Sequence, residues 1–216
     1  MPFRPKGADD EQMSRLARLI DTDWTEPASA QRQVEEPDPD LIRAAAKGDQ
    51  VAFAQLVRAH QAQVWRFLSH LLGDPSLAED VTQETFLKVY RKLDSYQFRS
   101  RFSTWVMAIA RNAGFDAMRK NRRKRVDLDV DQLDDPLARS APSRLELETA
   151  IGSLAPKLRE AFLLVEVMGL SYQEVAQVLG VPIGTVKSRL YHARRHLVEW
   201  FRGDEGPNED RMGDEM

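Results

Sequence analysis

The stretch from Ser171 to Leu197 constrains the fold of this chain more than any other. Ser171 and Glu174 have the S-x-x-E spacing of a capping box, in which each side chain satisfies a free backbone N–H at the start of a helix. Gly180 suits a turn that ends this helix, and Pro182 suits the first position of another. The sequence therefore predicts two short helices joined by a tight turn.

The second of these helices has two chemically different faces. Its apolar residues recur at steps of three and four and share one face: Ile183, Val186, Leu190, Ala193 and Leu197. The opposite face carries basic and hydrogen-bonding side chains: Lys187, Ser188, Tyr191, His192 and Arg195. This combination is typical of a helix-turn-helix with its recognition helix. An amphipathic helical hairpin with a solvated charged face is the alternative.

Composition excludes several classes of protein. The 216 residues contain no cysteine, which excludes disulfides, zinc–thiolate sites and cysteine nucleophiles. No run of about 18 apolar residues occurs, and the N-terminus lacks the apolar core of a signal peptide. We therefore expect a soluble cytoplasmic protein that is not exported and does not insert into a membrane.

The net charge of −3 hides a strong segregation of charge. Residues 39–125 hold sixteen basic and eight acidic side chains, and residues 144–202 hold eight and six. The three remaining segments are acidic, with net charges of −4 for 1–38, −4 for 126–143 and −5 for 203–216. Two basic blocks between acidic segments predict two nucleic-acid-facing modules on solvated linkers.

The chain as a whole predicts an all-α fold of two small helical bundles joined by a flexible linker, with the helix-turn-helix in the C-terminal bundle. No convincing strand pattern appears. The five expected segments are a disordered acidic extension (1–38), a helical domain (39–125), an acidic linker (126–143), a helix-turn-helix domain (144–202) and a disordered acidic tail (203–216).

Helices of the first domain are predicted from apolar periodicity and turn signals. Asp40 suits the cap of the first helix, and Gly73–Asp74–Pro75 ends a long second helix. We expect the broad apolar face of that second helix to be buried, with Val51, Phe53 and Trp65 on it. A third helix from about 76 to 93 places Leu77, Val81, Phe86, Val89 and Tyr90 inward. In the second domain, helices over about 144–153 and 156–168 precede the helix-turn-helix.

The segment from Phe98 to Arg125 interleaves aromatic and basic side chains. Six of the seven residues from 119 to 125 are cations. Cations neutralise phosphates, and unpaired bases stack on aromatic rings, so the segment favours binding of single-stranded or melted DNA. The alternative is that the aromatic residues belong to the core and the arginines solvate the surface.

No pattern in the sequence predicts catalysis. Glu79, Asp80 and Glu84 form an acidic helix face without a histidine at ligand spacing, and a protein–protein surface explains them better. His192 and His196 are four residues apart but lack a third ligand, so we expect no metal site. We expect no cofactor and no enzymatic activity.

Three motifs in this order resemble the sigma-70 family, in its extracytoplasmic-function (group IV) members. They are AEDVTQETFLKVYRKL (78–93), FRSRFSTWVMAIARNAGFDAMRK (98–120) and LSYQEVAQVLGVPIGTVKSRLYHARRHL (170–197). The resemblance covers roughly residues 40–202. It implies a factor that binds core RNA polymerase, directs it to the −35 and −10 promoter elements, and assists melting of promoter DNA.

The resemblance also implies roles for individual residues. Asp80, Gln83 and Glu84 would face the polymerase clamp helices, and the helix holding Arg159, Glu160 and Phe162 would approach the polymerase flap. The loop from Phe98 to Thr104 would trap a flipped −10 base. The −10 element would be bound by Phe98, Arg99, Arg101, Phe102, Trp105, Asn112, Arg119 and Arg123. The −35 element would be bound by Thr185, Lys187, Ser188, Arg189, Tyr191, His192 and Arg195.

Two other functions remain as alternatives at this point. A stand-alone helix-turn-helix regulator would bind duplex DNA without polymerase, but it leaves residues 78–125 unexplained. An enzyme acting on nucleic acid lacks a catalytic set. Members of the group are commonly held by an anti-sigma protein between their two domains, and the acidic linker and tail are candidates for shielding the basic surfaces.

Overall fold

The fold is built from α-helices across the residues that the computed structural model describes, 35–127 and 142–202, and those ranges contain no strand. The all-α prediction is therefore confirmed. Most of the predicted N-terminal extension (1–34), most of the predicted linker (128–141) and the predicted tail (203–216) lie outside the described residues. No helix in the described ranges is long and apolar enough to cross a membrane.

Four helices form the first cluster. They are α1 (Pro39–Ala46), α2 (Gln50–Leu72), α3 (Pro75–Lys92) and α4 (Phe102–Asp127), with a 3-10 turn at Leu93–Ser95 after α3. The second cluster holds α5 (Pro142–Ser153), α6 (Pro156–Phe162), α7 (Tyr172–Leu179) and α8 (Ile183–Arg202). Helices thus extend a short way into both ends of the segment predicted as a linker.

Aspartates start three helices of the first cluster. The carboxylates of Asp38, Asp49 and Asp74 accept hydrogen bonds from backbone N–H groups in the first turns of α1, α2 and α3. The predicted cap at Asp40 is wrong by two residues, because Asp40 lies inside α1 and Asp38 is the cap. Gly73 ends α2 in the left-handed conformation, with φ of 69°. This conformation costs a glycine little, which explains the position of the break between α2 and α3.

A π-helical turn, Leu163–Val167, continues α6. Met168 N–H donates to the Leu163 carbonyl at 2.9 Å, a step of five residues instead of four. The helix predicted over 156–168 is therefore present, and its second half has π-helical geometry. Leu163, Leu164 and Val165 are buried, and so are Glu160, Ala161 and Phe162 in the α-helical part before them, so this helix is surrounded by its neighbours on all sides.

The core of the first cluster lies between α2, α3 and α4. Val64, Phe67, Leu68 and Leu71 of α2 are fully buried in it. Gly114 allows α4 to approach α2 closely, since a Cβ there would lie 2.8 Å from Leu71 Cδ2. Burying a large apolar side chain is worth roughly 1.5–3 kcal/mol, so this layer holds the three helices together.

The two clusters also pack against each other. Helix α4 contacts α7, and α2 contacts both α5 and the π-helical turn. Arg159 of α6 crosses this boundary, because its Nη1 donates to the Leu71 carbonyl of α2 at 3.3 Å. The buried apolar residues of both clusters form one continuous cluster. The sequence predicted two bundles but not their direct packing.

Four residues expected on buried faces are exposed instead: Val51, Trp65, Tyr90 and Ile183. The buried stripe of α2 is narrower than its apolar sequence suggests, and Val51 and Ile183 lie in the first turns of their helices. Tyr90 is only partly covered, by an edge-on contact with Phe53 whose ring centroid lies 4.9 Å away.

Candidate nucleic-acid interface

The predicted capping box is present at the start of α7. Glu174 N–H donates to Ser171 Oγ at 3.3 Å, and Ser171 N–H donates to Glu174 Oε2 at 2.9 Å. Gly180 then ends α7 in the left-handed conformation, with φ of 65°. The sequence prediction of two helices joined by a tight glycine turn is confirmed.

Helix α8 buries the apolar face that its periodicity predicted. Val186, Leu190, Ala193 and Leu197 are at most 1% exposed. They pack where α8 meets α6 and α7. The opposite face of α8 is thereby directed outward.

Most residues predicted to bind the −35 element lie on this outer face. Ser188, Tyr191, His192 and Arg195 are exposed, and Thr185 and Lys187 are half-buried. The Tyr191 and His192 rings are in contact, with centroids 5.4 Å apart. The structure thus brings aromatic, hydroxyl and cationic groups together along one side of a helix, which is the chemistry needed to contact base edges and phosphates.

Arg189 differs from the other predicted −35 residues. Its side chain is only 17% exposed, and Nη1 donates to Glu160 Oε1 of α6 at 2.9 Å. It therefore points toward the neighbouring helix rather than outward with Tyr191. In this arrangement Arg189 positions α8 against α6.

The loop between α3 and α4 holds Phe98 in an uncommon conformation. Its φ is 55°, in the left-handed region that bulky residues rarely adopt, and 44% of the residue is exposed. The ring lies against Tyr96, with centroids 4.7 Å apart, and the Arg43 guanidinium lies 5.3 Å from the Phe98 centroid. Backbone strain of this kind is often found at binding sites.

Tyr96 braces this loop from inside. Its Oη donates to the Ser100 carbonyl at 2.6 Å, which closes the loop on itself. Burial, and then the nearby negative charge of Glu36, raise the pKa of Tyr96 to about 12. The phenol therefore stays protonated and keeps its hydrogen bond at physiological pH.

Two other predicted −10 aromatic residues lie deeper. Phe102 is 1% exposed and packs edge-on against His60, with centroids 5.2 Å apart. Trp105 is half-buried, with its ring 5.1 Å from that of Tyr96. Phe102 thus belongs to the core beneath the loop, while Trp105 and Phe98 offer ring surface outside it.

Arg101 lies between two carboxylates at the N-terminus of α4. Its Nε donates to Glu36 Oε2 at 3.3 Å, and its Nη1 lies 3.5 Å from Glu174 Oε1 of α7. Glu36 also accepts a hydrogen bond from the Phe102 N–H, and Thr104 Oγ1 donates to Glu174 at 3.3 Å. The carboxylates of Glu36 and Glu174 therefore bind Arg101, a residue that was predicted to bind DNA.

The remaining predicted −10 residues are spread along the loop and α4. Arg99, Asn112 and Arg119 are exposed, with Arg119 paired to Asp116. Asn112 Oδ1 accepts from Arg111 Nη1 at 3.1 Å. Arg123 falls in the last turns of α4, and its side chain lies outside the described residues.

The predicted polymerase-facing residues share the outer surface of α3. Asp80 and Gln83 are exposed, and Glu84 pairs with Lys88 at 2.8 Å. A pocket between α3 and α4 adjoins them. Its lining is Asp74, Leu77, Asp80, Val81, Glu84, Ala117, Lys120 and Asn121.

The described residues contain no group of three His, Asp or Glu side chains placed to hold a metal ion. His196 faces Ser153, with Nε2 and Oγ 3.0 Å apart, whereas His192 contacts Tyr191 on the outer face. The two histidines therefore have separate environments.

The sequence did not reveal the ion pairs of the acidic residues that organise this region, and Glu160 was named only on the helix expected to approach the polymerase flap. Glu160 is 1% exposed and accepts from Arg111 Nε of α4 at 2.9 Å as well as from Arg189. Its place beside Ala161 and Leu164 on a largely apolar helix was the available signal, because a buried carboxylate requires a cationic partner. Glu174 was recognised only as a capping residue, and Glu36 was assigned to a disordered extension.

Family models match both helical clusters. The model described as Sigma-70 region 2 matches residues 56–124, and the model described as Sigma-70, region 4 matches residues 144–197. The matches divide the chain at the segment predicted as a linker.

Curated relatives are similar over most of their own length. The chain is 36% identical over 201 residues to "ECF RNA polymerase sigma factor SigE" of Mycolicibacterium smegmatis, covering 88% of this chain and 75% of that protein. It is 32% identical over 180 residues to "ECF RNA polymerase sigma factor SigW" of Bacillus subtilis, covering 74% and 95%.

Two solved structures have a similar fold. CnrH, in complex with the cytosolic domain of CnrY, matches with a TM-score of 0.61 and 28% identity over 77% of this chain and 97% of that one. The sigma factor RpoE of Bartonella quintana, in complex with the anti-sigma factor NepR, matches with a TM-score of 0.60 and 29% identity over 71% and 98%.

Proposed function

The chain belongs to the sigma-70 family, in its extracytoplasmic-function group, and we propose that its two domains share promoter recognition between them. It is a sigma factor: it binds RNA polymerase and directs it to specific promoters. The domain containing α1–α4 is assigned to polymerase and the −10 element. The domain containing α5–α8 is assigned to the −35 element.

The outer face of α8 is the proposed −35 surface. Ser188, Tyr191, His192 and Arg195 are exposed on it, and Thr185 and Lys187 lie at its edge. A helix with this surface fits the major groove, where hydroxyl, imidazole and cationic groups read base edges and phosphates. This single face, paired with a sigma region 2 domain in the same chain, carries the proposal.

The −10 surface is formed by the loop before α4 and by α4 itself. The exposed ring of Phe98 and the half-buried ring of Trp105 offer surfaces on which an unpaired base stacks. Arg99, Asn112, Arg119 and Arg123 supply the polar and cationic contacts. Phe102 supports the loop from the core, and Arg101 reaches DNA only after leaving its carboxylate partners.

The polymerase surface is the proposed role of Asp80, Gln83 and Glu84. Two of these side chains are exposed on α3, beside the pocket between α3 and α4. Polymerase clamp helices are the partner for this face. Polymerase makes the phosphodiester bonds, so the chain itself needs no catalytic residue or cofactor. Its proposed place of action is the cytoplasm, where the transcribed DNA lies.

An anti-sigma protein is a further partner. RpoE of Bartonella quintana was solved with one, and CnrH was solved with the cytosolic domain of CnrY. A partner that covers the surfaces on α3, α4 or α8 would prevent polymerase or promoter binding by this chain.

Run-off transcription tests the function directly. Purified chain, core RNA polymerase and a cognate promoter should together give a transcript that neither protein gives alone. The promoter is found by sequencing transcripts after overexpression of the chain. A stand-alone regulator would instead bind the duplex without polymerase, and failure of the chain to co-elute with core polymerase in gel filtration would refute the proposal.

A further inference from the structure

A cation from outside the predicted −10 segment lies against the exposed ring of that segment. The Arg43 guanidinium of α1 is 5.3 Å from the ring centroid of Phe98. Arg101 of the same loop is instead held by the carboxylates of Glu36 and Glu174. The structure therefore gives Phe98 a cationic neighbour that the predicted −10 residues did not include.

Helix α1 holds Arg43 at a fixed place on the first domain. The helix packs on α2 and on the 3-10 turn that leads into the loop of Phe98. Ile42 and Ala45 of α1 are buried in these contacts, whereas 58% of the Arg43 side chain is exposed. The guanidinium is thus presented to solvent beside the ring by a helix that is anchored on both sides of it.

The Arg43 guanidinium is suited to binding a second anion. Its Nη1 donates to Asp40 Oδ1 at 2.6 Å, and that aspartate side chain is 85% exposed. A guanidinium carries five N–H donors in one plane, so it binds one oxyanion along one edge and another along a second edge. Its flat face packs on an aromatic ring at the same time. Arg43 therefore has the chemistry to hold the Phe98 ring and a phosphate together.

We propose that Arg43 is a further DNA-binding residue of the −10 site, which binds one phosphate of the melted strand beside the base that stacks on Phe98. Each base carries its own phosphate, so a base on this ring brings an anion to the guanidinium. The segment matched by the Sigma-70 region 2 model begins at residue 56, after α1, and so does not include Arg43. The inference rests on the proposed −10 role of Phe98.

Binding of a −10 single strand to the assembled holoenzyme, the full-length chain with core RNA polymerase, tests the proposal. Arg43→Gln should weaken binding of a −10 oligonucleotide about three- to tenfold and lower the slope of log affinity against log salt by about 0.7, as loss of one single-strand phosphate contact predicts. Arg43→Lys keeps the charge but not the planar group. It should keep the salt slope and lose about two- to threefold in affinity.

Arg58→Gln is the matched control for the loss of one positive charge. Arg58 is exposed on α2, and its Nε donates to the Ala54 carbonyl of the same helix at 3.2 Å. This variant should bind the oligonucleotide as the parent does. Arg43→Gln and Arg58→Gln should both unfold in urea at the parent's midpoint and bind core polymerase as tightly as the parent, because both arginines are exposed.

Neutral phosphates locate the contact. In a series of oligonucleotides that each carry one methylphosphonate in place of a phosphate, one position should weaken binding by the parent and leave binding by Arg43→Gln unchanged. The loss caused by Arg43→Gln should also be smaller in a Phe98→Ala protein than in the parent, since the ring no longer holds the guanidinium in place.

Four results overturn the proposal. The first is strand binding by Arg43→Gln that equals that of the parent or of Arg58→Gln. The second is a methylphosphonate series that affects the parent and Arg43→Gln alike at every position. The third is an equal loss from Arg43→Gln with and without the Phe98 ring. The fourth is weaker binding of Arg43→Gln to core polymerase with unchanged strand binding once assembled, which would assign Arg43 to the polymerase surface.

Failure of this inference is distinguishable from failure of the proposed −10 site. Phe98→Ala alone should weaken strand binding whether or not Arg43 binds a phosphate. Unimpaired strand binding by folded Phe98→Ala would remove the −10 site itself, and run-off transcription would still report separately on the sigma function.

Discussion

Arg194 donates from Nη2 to Glu166 Oε1 at 2.6 Å, and the two side chains are only 13% and 14% exposed. The pair joins the buried side of α8 to the π-helical turn after α6. The next residue, Arg195, is exposed and pairs only at 3.3 Å with Glu199 one turn along the same helix. Arg194 thus makes a contact inside the protein, whereas the adjacent Arg195 lies on the proposed DNA surface.

Replacing these two arginines should separate stability from DNA binding. Arg194→Ala leaves the Glu166 carboxylate buried without this partner, so we expect the free energy of unfolding to fall by roughly 3 kcal/mol. Arg195→Ala removes an exposed pair and should change it by no more than about 0.5 kcal/mol. Urea denaturation of the full-length protein measures both.

Promoter binding, unlike stability, should be affected more by Arg195→Ala than by Arg194→Ala. In complex with polymerase, Arg195→Ala should weaken promoter binding and lower the slope of log affinity against log salt by about 1, as loss of one phosphate contact predicts. A stable Arg195→Ala protein with unchanged affinity and salt slope would remove Arg195 from the −35 surface.

The turn of the helix-turn-helix offers a second test. Gly180 has φ of 65° and Gly184 in α8 has no positive φ, and a Cβ at either position meets no atom within 4 Å. Gly180→Ala should therefore lower the free energy of unfolding by about 1 kcal/mol, through the backbone alone. Gly184→Ala should leave it unchanged or raise it by up to about 1 kcal/mol. Equal effects in thermal or urea unfolding would contradict this reading of the turn.

The proposed −10 segment contains one exposed phenylalanine, Phe98, and one buried phenylalanine, Phe102. Phe98→Ala should weaken binding of polymerase-bound protein to a −10 single strand by about 1–3 kcal/mol, because one exposed stacking ring is lost. Its stability should change little. Phe102→Ala should cost about 3–5 kcal/mol of unfolding free energy, since that ring is fully buried. Unimpaired strand binding by folded Phe98→Ala would show that the ring does not stack on a base.

Stability should also fall in mild acid because of His60. Burial lowers the pKa of this imidazole from 6.5, against smaller raising effects of the Leu56 carbonyl and of Glu36. The unfolded chain therefore binds a proton more readily, so the stabilisation is complete above about pH 6.5 and is lost as the pH falls below it.

The pH effect of His60 is measured as a difference between two proteins. Urea denaturation at pH 7.5 and 5.5 should show a larger loss of stability for the parent than for His60→Gln, which cannot titrate there. Comparing the change within each protein removes any constant cost of the substitution. Identical pH dependence would show that burial of His60 does not oppose its protonation.

The sequence was sufficient to predict the helices because their signals are local. Ser171 with Glu174, Gly180, and Gly73 before Asp74 each act within a few residues, and the structure has the expected caps and turns at all of them. The π-helical turn was not predictable in this way. The turn contains no glycine or proline, and the α-helical residues before it are just as buried, so neither local composition nor apolar pattern marks its position.

The part of the site that lies on a single helix was predictable, whereas the contacts between different helices were not. The outer face of α8 follows from the period of that helix alone, and Tyr191 and Arg195 lie where it predicts. The inward direction of Arg189 depends on Glu160, 29 residues earlier, and the placement of Arg101 depends on Glu36 and Glu174. Ion pairs between residues so far apart in the sequence produce no periodic pattern from which they could be predicted.

The π-helical turn at Leu163–Val167 holds one residue more than an α-helical turn would need at the same place. The Met168 N–H reaches back five residues to the Leu163 carbonyl, whereas an α-helical bond reaches back four. Removing one residue from the turn would therefore let it close as an ordinary α-helix, with Arg159 and Glu160 before it and α7 after it keeping their relative directions. A single-residue deletion here should disturb the meeting of the two domains less than the same deletion in the α-helical turns of α6, where every residue advances the helix by about 100°.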